Sequence, residues 1–356
     1  MKRDIDRPAW ATGGHWLDRL YNRVANDTDF FLEGWGDLTR WQTDGFLEPL
    51  LDFARAFTDD KRAPVEIEWG KTRRTPRLRL QYGTFRSPCA HLLPPESHTA
   101  NIMAIWPRQG RPSGVCVHMA ATGDEGFARR RLVALELART AGIGAILLEN
   151  PFYGQRKPAG QRGVMLRTID ELCAMGFASI VEGMALLGWL RSQGHEQLGL
   201  AGVSMGGQMA MTAAAAWPHP VAVAPFIASH SAQPVFTEGL ISRHMRWDKL
   251  AQEHAGDVEA ARMRLVRLLE TTDVRLLPPP VRSDAAVLVS ARRDAYVPRL
   301  SAQVVQSHWP GARLLWIPTG HVGGFIFHRR TFQDAIKQSF KRLTRPPSLS
   351  SSTPAR

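Results

Sequence analysis

Residues 200–210, LAGVSMGGQMA, place a serine between glycines, with a hydrophobic run before it and small residues after it. Gly202-Val203-Ser204-Met205-Gly206 fits G-x-S-x-G, a pattern short enough to arise by chance, so its flanks decide how it is read. A strand-like run, Leu198 to Gly202, ends at the motif, and a helix rich in alanine and methionine, Gly206 to Trp217, begins there. This context predicts a tight strand-to-helix turn with Ser204 at its apex, because only small flanking residues let strand and helix pass so closely. The alternative is a glycine-rich bend that packs strand on helix and does nothing more.

Outward from the turn, apolar bursts of four to seven residues recur between longer amphipathic segments. The bursts predict strands at Asn101 to Trp106, Gly114 to His118, Gly144 to Leu148, Leu198 to Gly202, Pro220 to Pro225, Ala286 to Ser290 and Arg313 to Ile317. Ala128 to Ala141 and Leu172 to Arg191 carry helical spacing. The alternation predicts an α/β fold, a doubly wound and mostly parallel sheet buried on both faces. Two regions depart from it. Residues 1–100 hold aromatic-rich helical text and strand-like text around Arg77 to Phe85, and are expected to pack on a core domain of residues 101–345. Residues 229–282 hold amphipathic helices such as Val258 to Leu269 between strands, so they read as an inserted helical cap. The tail, residues 346–356, is low in complexity and expected to be disordered.

A serine hydroxyl is a weak nucleophile near neutral pH, and it needs a base that is itself oriented by a carboxylate. On a doubly wound sheet these follow the serine in the order acid, then histidine, each on a loop after a later strand. Asp294 follows the strand AAVLVSA in Arg292-Arg293-Asp294-Ala295-Tyr296-Val297-Pro298, and His321 follows RLLWIP in Thr319-Gly320-His321-Val322-Gly323. The order Ser204, Asp294, His321 is therefore satisfied. His308 and His328 fall at or inside helices, and Asp273 and Asp284 flank the insertion, so none of the four fits as well.

Charge developing on a carbonyl oxygen needs donors. The backbone N–H of Met205, at a helix N-terminus, is one candidate, and Ala120, on the loop Val117 to Asp124, is the other. His118, Met119 and Ala121 on that loop are candidate substrate contacts. A plain turn with Asp124 capping the next helix also explains Thr122, Gly123 and Asp124. In Glu149 to Pro158, Phe152 and Tyr153 are candidate walls of an acyl pocket and Arg156 a candidate partner for an anionic head group; a rigid turn of prolines and packed aromatics is the competing reading. No P-loop, dinucleotide fingerprint, H-E-x-x-H or histidine cluster occurs, so no cofactor and no metal are expected.

The formal net charge is +12, and 38 of the 45 basic residues are arginine. The arginine clusters lie on separate segments, which favours a solvated surface over a docking face and argues against nucleic acid. The opening residues carry no apolar run, no later stretch approaches about 18 uninterrupted apolar residues, and the three cysteines lie far apart. A cytoplasmic protein with reduced thiols is expected.

Together these segments resemble the family of alpha/beta-hydrolase-domain-containing protein 18. The resemblance runs through FFLEGWG near Phe30, FRSPCAHLLP near Phe85, HMAATGD followed by RRR, LLENPFYGQRKP, GVSMGGQMA, VFTEG at Val235, RDAYVP and GHVGGFIF. It implies an alpha/beta-hydrolase fold, with Ser204 as nucleophile, Asp294 as acid and His321 as base. It also implies that the N-terminal hundred residues and the insertion belong to the family architecture. Met119 stands where many members of the wider superfamily carry glycine.

The expected function is a serine hydrolase acting on a lipid or other acyl ester through an acyl-enzyme on Ser204. Three rivals remain: acyl transfer or thioester cleavage with the same residues, a catalytically silent binding module, and a peripheral contact with an anionic membrane through the basic surface and the aromatic text from Phe30 to Trp41, a text that a helix packed on the core explains as well.

Overall fold

The computed structural model describes residues 8–24, 29–43, 46–58 and 62–346; the tail read as disordered lies outside them except for residue 346. Among the described residues nine strands form one sheet in the order β1-β2-β3-β5-β4-β6-β7-β8-β9. They are β1 (Glu68–Arg74), β2 (Leu78–Arg86), β3 (Thr99–Pro107), β4 (Gly114–Met119), β5 (Ile143–Leu148), β6 (Leu198–Val203), β7 (Ala222–Phe226), β8 (Val287–Ala291) and β9 (Arg313–Ile317). The pairings β1–β2, β2–β3 and β3–β5 are antiparallel, and the remainder of the sheet is parallel. Strands β4, β5 and β7 are buried at every residue, which is why they read as unbroken apolar runs.

The longer helices, numbered in chain order, are α1 (Trp16–Val24), α2 (Leu47–Arg55), α3 (Ala128–Thr140), α4 (Ile169–Ser192), α5 (Met205–Ala216), α6 (Val258–Glu270), α7 (Arg299–His308), α8 (His321–Phe327) and α9 (Arg329–Leu343). One face of the sheet is covered by α4, α5, the aromatic N-terminal segment and the insertion, which share the largest core cluster. The other face is covered by α9 and α3; Phe332, Ile336 and Phe340 of α9 join Leu137 of α3 against β6, β7 and β8. The Thr168 hydroxyl accepts from the Glu171 N–H and starts α4. Among the described residues α4 is the one helix long and apolar enough to cross a membrane, yet most of it is buried in this core.

The first strands come from residues 68–86, so the segment before residue 100 builds part of the sheet as well as packing on it, and a boundary drawn there runs through β3. The insertion is tied to that segment. Phe30 N–H donates to the His244 carbonyl at 2.7 Å, and the Phe30 carbonyl accepts from Arg246 N–H at 3.1 Å. Strand order reverses about β4, with β5 on one side and β6 on the other. The crevice beyond the carboxyl ends of β4 and β6 is where an open α/β sheet places its ligands.

Candidate active site

Ser204 lies between β6 and α5 with φ 55° and ψ −121°, a left-handed conformation that a residue with a Cβ adopts only under constraint. The constraint is close packing. A Cβ on Gly202 would stand 2.3 Å from the Gly206 carbonyl, and one on Gly206 would stand 2.5 Å from the Met119 carbonyl oxygen. Both glycines are thus required by the approach of strand, helix and neighbouring loop. The Ser204 N–H donates to the Phe226 carbonyl at 2.9 Å, fixing the turn to the end of β7.

The Ser204 hydroxyl lies 3.1 Å from Nε2 of His321, the first residue of α8. On the far side of the ring, Nδ1 lies 2.8 Å from Oδ2 of Asp294, on the loop after β8. With Nδ1–H donating to the carboxylate, Nε2 is left to accept the serine proton. The other carboxylate oxygen of Asp294 accepts from the N–H groups of Tyr296 at 2.8 Å and Val297 at 2.9 Å, so the acid is held by its own loop. Burial opposes the charged form of His321, but the charge and hydrogen bond of Asp294, with the charge of Asp18 behind them, raise its pKa above the ordinary histidine value.

Asp18 is the residue that sequence reasoning missed. It is fully buried on α1, and its carboxylate accepts from three backbone N–H groups: Ala295 at 3.0 Å, His321 at 2.9 Å and Val322 at 2.9 Å. One side chain from the N-terminal segment therefore fastens the acid loop to the histidine loop. His15 N–H adds a bond to the Arg293 carbonyl at 2.8 Å. Desolvation, and then the nearby Asp294 charge, raise the pKa of Asp18 despite these donors.

The loop after β4 lies against the first turn of α5. Met119 and Ala120 abut Gly206, and the Thr122 hydroxyl reaches the Met205 sulfur at 3.6 Å. Met205 N–H is among the first donors of a helix, which the helix itself cannot satisfy. The Ala120 carbonyl is held by the side-chain amide of Asn150 at 3.2 Å, and the Asn150 oxygen in turn accepts from Ser179 of α4 at 3.3 Å. Asp124 does not cap α3. It pairs with Arg130 at 2.7 Å, and Arg130 also donates to the carbonyls of His118 at 3.0 Å, Leu148 at 2.5 Å and Gly126 at 2.7 Å. A buried guanidinium thus ties together the ends of β4 and β5.

Several candidate contacts are corrected by burial. The side chain of His118 is enclosed, and desolvation followed by the charge of Arg130 depresses its pKa to about 3, so it is a neutral core imidazole. Met119 is fully buried, its thioether lying against Gly183 of α4; a side chain there fills space under the sheet and leaves the loop's backbone free to approach α5. Phe152 and Tyr153 are core residues, and burial pushes the Tyr153 phenol up to about 12. Arg156 is sealed from solvent: it forms a two-point pair with Glu182 at 2.6 and 2.8 Å and donates to the carbonyls of Glu149 and Ser97, so it has no face left for a head group. Ala121 stays partly exposed. The aromatic text read as a membrane contact is also core, with Phe30, Phe31, Trp35 and Trp41 buried.

With this geometry in hand, the family model for "Alpha/beta hydrolase domain containing 18" matches residues 28–258 and 249–342. The chain belongs to that family. Among the solved structures that share the fold are two acetyl xylan esterases. The acetyl xylan esterase from Paenibacillus sp. R4 is similar at 15% identity and TM-score 0.57, over 86% of this chain and 97% of that one. Acetyl xylan esterase 1 from Thermoanaerobacterium sp. JW/SL YS485 is similar at 13% identity and TM-score 0.56, over 89% of this chain and 98% of that one. The family model and both neighbours agree with the alpha/beta-hydrolase fold that the resemblance implies.

Proposed function

We propose that the protein is a serine hydrolase that cleaves a carboxylic acyl ester, with lipid esters as the substrate class, through an acyl-enzyme on Ser204. The observation that carries this reading is the hydrogen-bonded chain from Ser204 through His321 to Asp294 at a strained turn. That two structures of the same fold are named as esterases supports an ester over other acyl compounds.

In the acylation step His321 Nε2 takes the hydroxyl proton as Ser204 Oγ bonds to the ester carbonyl carbon. The oxyanion is received by the N–H groups of Met205 and Ala120. Collapse expels the alkoxide, which leaves with the proton from Nε2. Water then gives a proton to Nε2, its oxygen attacks the acyl carbon, and the acid departs as Ser204 recovers its proton. Asp294 stays ionised and holds the ring in the productive tautomer.

Fluorophosphonate labelling of the full chain beside Ser204→Ala, with the modified peptide mapped by mass spectrometry, tests the proposal. Label on Ser204 that vanishes in the variant is the expected result. Absence of label on a folded wild type would overturn the reading in favour of a binding module.

A further inference from the structure

Helix α1 is inside out. Its buried residues are Asp18 and Asn22, whereas Trp16, Leu20, Tyr21 and Val24 are between 48% and 78% exposed. At about 100° per residue, Trp16, Leu17, Leu20, Tyr21 and Val24 fall in one sector, Asp18 and Asn22 in the next, and Arg19 with Arg23 on the remaining flank. The inward polar residues are all engaged: Asp18 holds the acid and histidine loops, and Asn22 meets His244 of the insertion at 2.7 Å. Tertiary bonding thus orients the helix by its polar side and leaves its apolar side uncovered.

A second uncovered surface lies beside it. Helix α8 packs against α1 and exposes Phe325, Ile326 and Phe327 at its far end, the last to 69%. Since α8 begins with His321, its exposed end lies about 9 Å along the helix axis from the proposed base. Arginines border both helices. Arg19 and Arg23 are exposed on α1, Arg329 and Arg330 are exposed just after α8, and the Arg129 guanidinium lies 5.5 Å over the Phe325 ring.

We propose that the outward faces of α1 and α8 dock on an anionic lipid–water interface and so present the proposed site to an ester held there. A short helix with aromatic and aliphatic residues on one side and arginines on its flank suits shallow insertion at a headgroup boundary. The bordering charge selects this occupant over a second copy. A two-fold contact would bring the same arginines face to face, whereas anionic headgroups would neutralise them while the apolar side chains enter the acyl boundary. The proposal deepens the hydrolase reading by naming how substrate arrives, and rests on it for that role alone.

Flotation of the full chain with vesicles of phosphatidylcholine, alone or mixed with phosphatidylserine, tests it at low and high salt. The wild type should float with the mixed vesicles at low salt and remain behind with phosphatidylcholine alone. Arg19→Gln/Arg23→Gln should weaken binding roughly 25-fold, about five-fold per arginine. Leu20→Ser/Val24→Ser/Phe327→Ser should abolish flotation while turnover of a soluble short-chain ester stays unchanged. Flotation of all variants equal to wild type, or none by wild type at low salt, would overturn the docking face. So would a wild-type dimer that the triple variant dissociates, which would assign the face to a second copy. Ser204→Ala should float like wild type, so loss of labelling and loss of docking are separate failures.

Discussion

Replacing Asp18 by asparagine keeps the shape of the side chain and removes its charge and one acceptor oxygen. In the native protein Oδ2 receives the N–H groups of Ala295 and His321, and Oδ1 that of Val322. An amide oriented to keep its oxygen on the first pair turns an NH2 group toward Val322, orphaning one buried donor at a cost of about 1–3 kcal/mol. Part of that loss is offset, because the native carboxylate is itself disfavoured by desolvation and by Asp294. A net destabilisation of about 1–2 kcal/mol follows, measurable by urea unfolding. Asp18→Ala removes every acceptor and should cost more.

The kinetic consequence has a sign of its own. The Asp18 charge is one of the influences that raise the pKa of His321. The unprotonated ring is the active base, so kcat/KM rises as pH climbs through that pKa. Neutralising Asp18 lowers the pKa, and the rising limb of the profile should move to lower pH. Turnover should fall as well, by up to about 100-fold if the two loops shift by an ångström. The assay is hydrolysis of a soluble p-nitrophenyl ester across pH, with Asp18→Glu as a variant that restores charge. A fall in kcat with the limb unmoved would make Asp18 a brace only, and a limb moved to higher pH would refute the electrostatic argument.

Other substitutions follow from the supports beneath the site. Arg156→Met should destabilise the fold by about 3–5 kcal/mol by leaving Glu182 buried and unpaired, and adding Glu182→Met should recover much of it; a single-variant loss below 1 kcal/mol in urea would contradict the buried pair. Asn150→Ala releases the Ala120 carbonyl and should lower kcat about ten-fold with little change in KM, less than the 10²–10³ of losing an oxyanion donor outright. An unchanged kcat would remove Ala120 from the proposed oxyanion site.

Strand and helix positions were legible because their signals are local. The strands β4 and β6 read as apolar runs closed by turn residues, and α5 as a small-residue helix after a G-x-S-x-G turn. Motif order likewise pointed to Asp294 and His321, because each lies at a strand's carboxyl end, a place that sequence alone can mark. Residues whose direction depends on packing were not legible. In ENPFYGQRKP, a pair of aromatics and two cations fit either a surface that meets substrate or a rigid turn of packed aromatics; the aromatics are packed, and Arg156 turns inward because Glu182 of α4 waits beneath it. Nothing within the segment records that carboxylate. Strand β1 was also missed, since Glu68–Arg74 is exposed along nearly its whole length and shows no alternation.

Helix α1 carries the same lesson further. Amphipathic spacing identifies a face but not the side on which the protein lies. The ordinary expectation buries Trp16, Leu20 and Val24 and exposes Asp18, and the structure does the reverse because donors from residues 277 and 303 positions away converge on that carboxylate. The inversion is a cost that hydrophobic burial alone would not select, since four large side chains are left in water. What offsets it inside the fold is the fastening of the Asp294 and His321 loops. What would offset it outside is an apolar medium against the outward face. These two roles sit on opposite faces of one helix and are therefore separable by mutation: Asp18→Asn, which keeps two of the three bonds that orient the helix, should alter the pH profile and leave vesicle binding intact, and changes at Leu20 and Val24 should do the opposite.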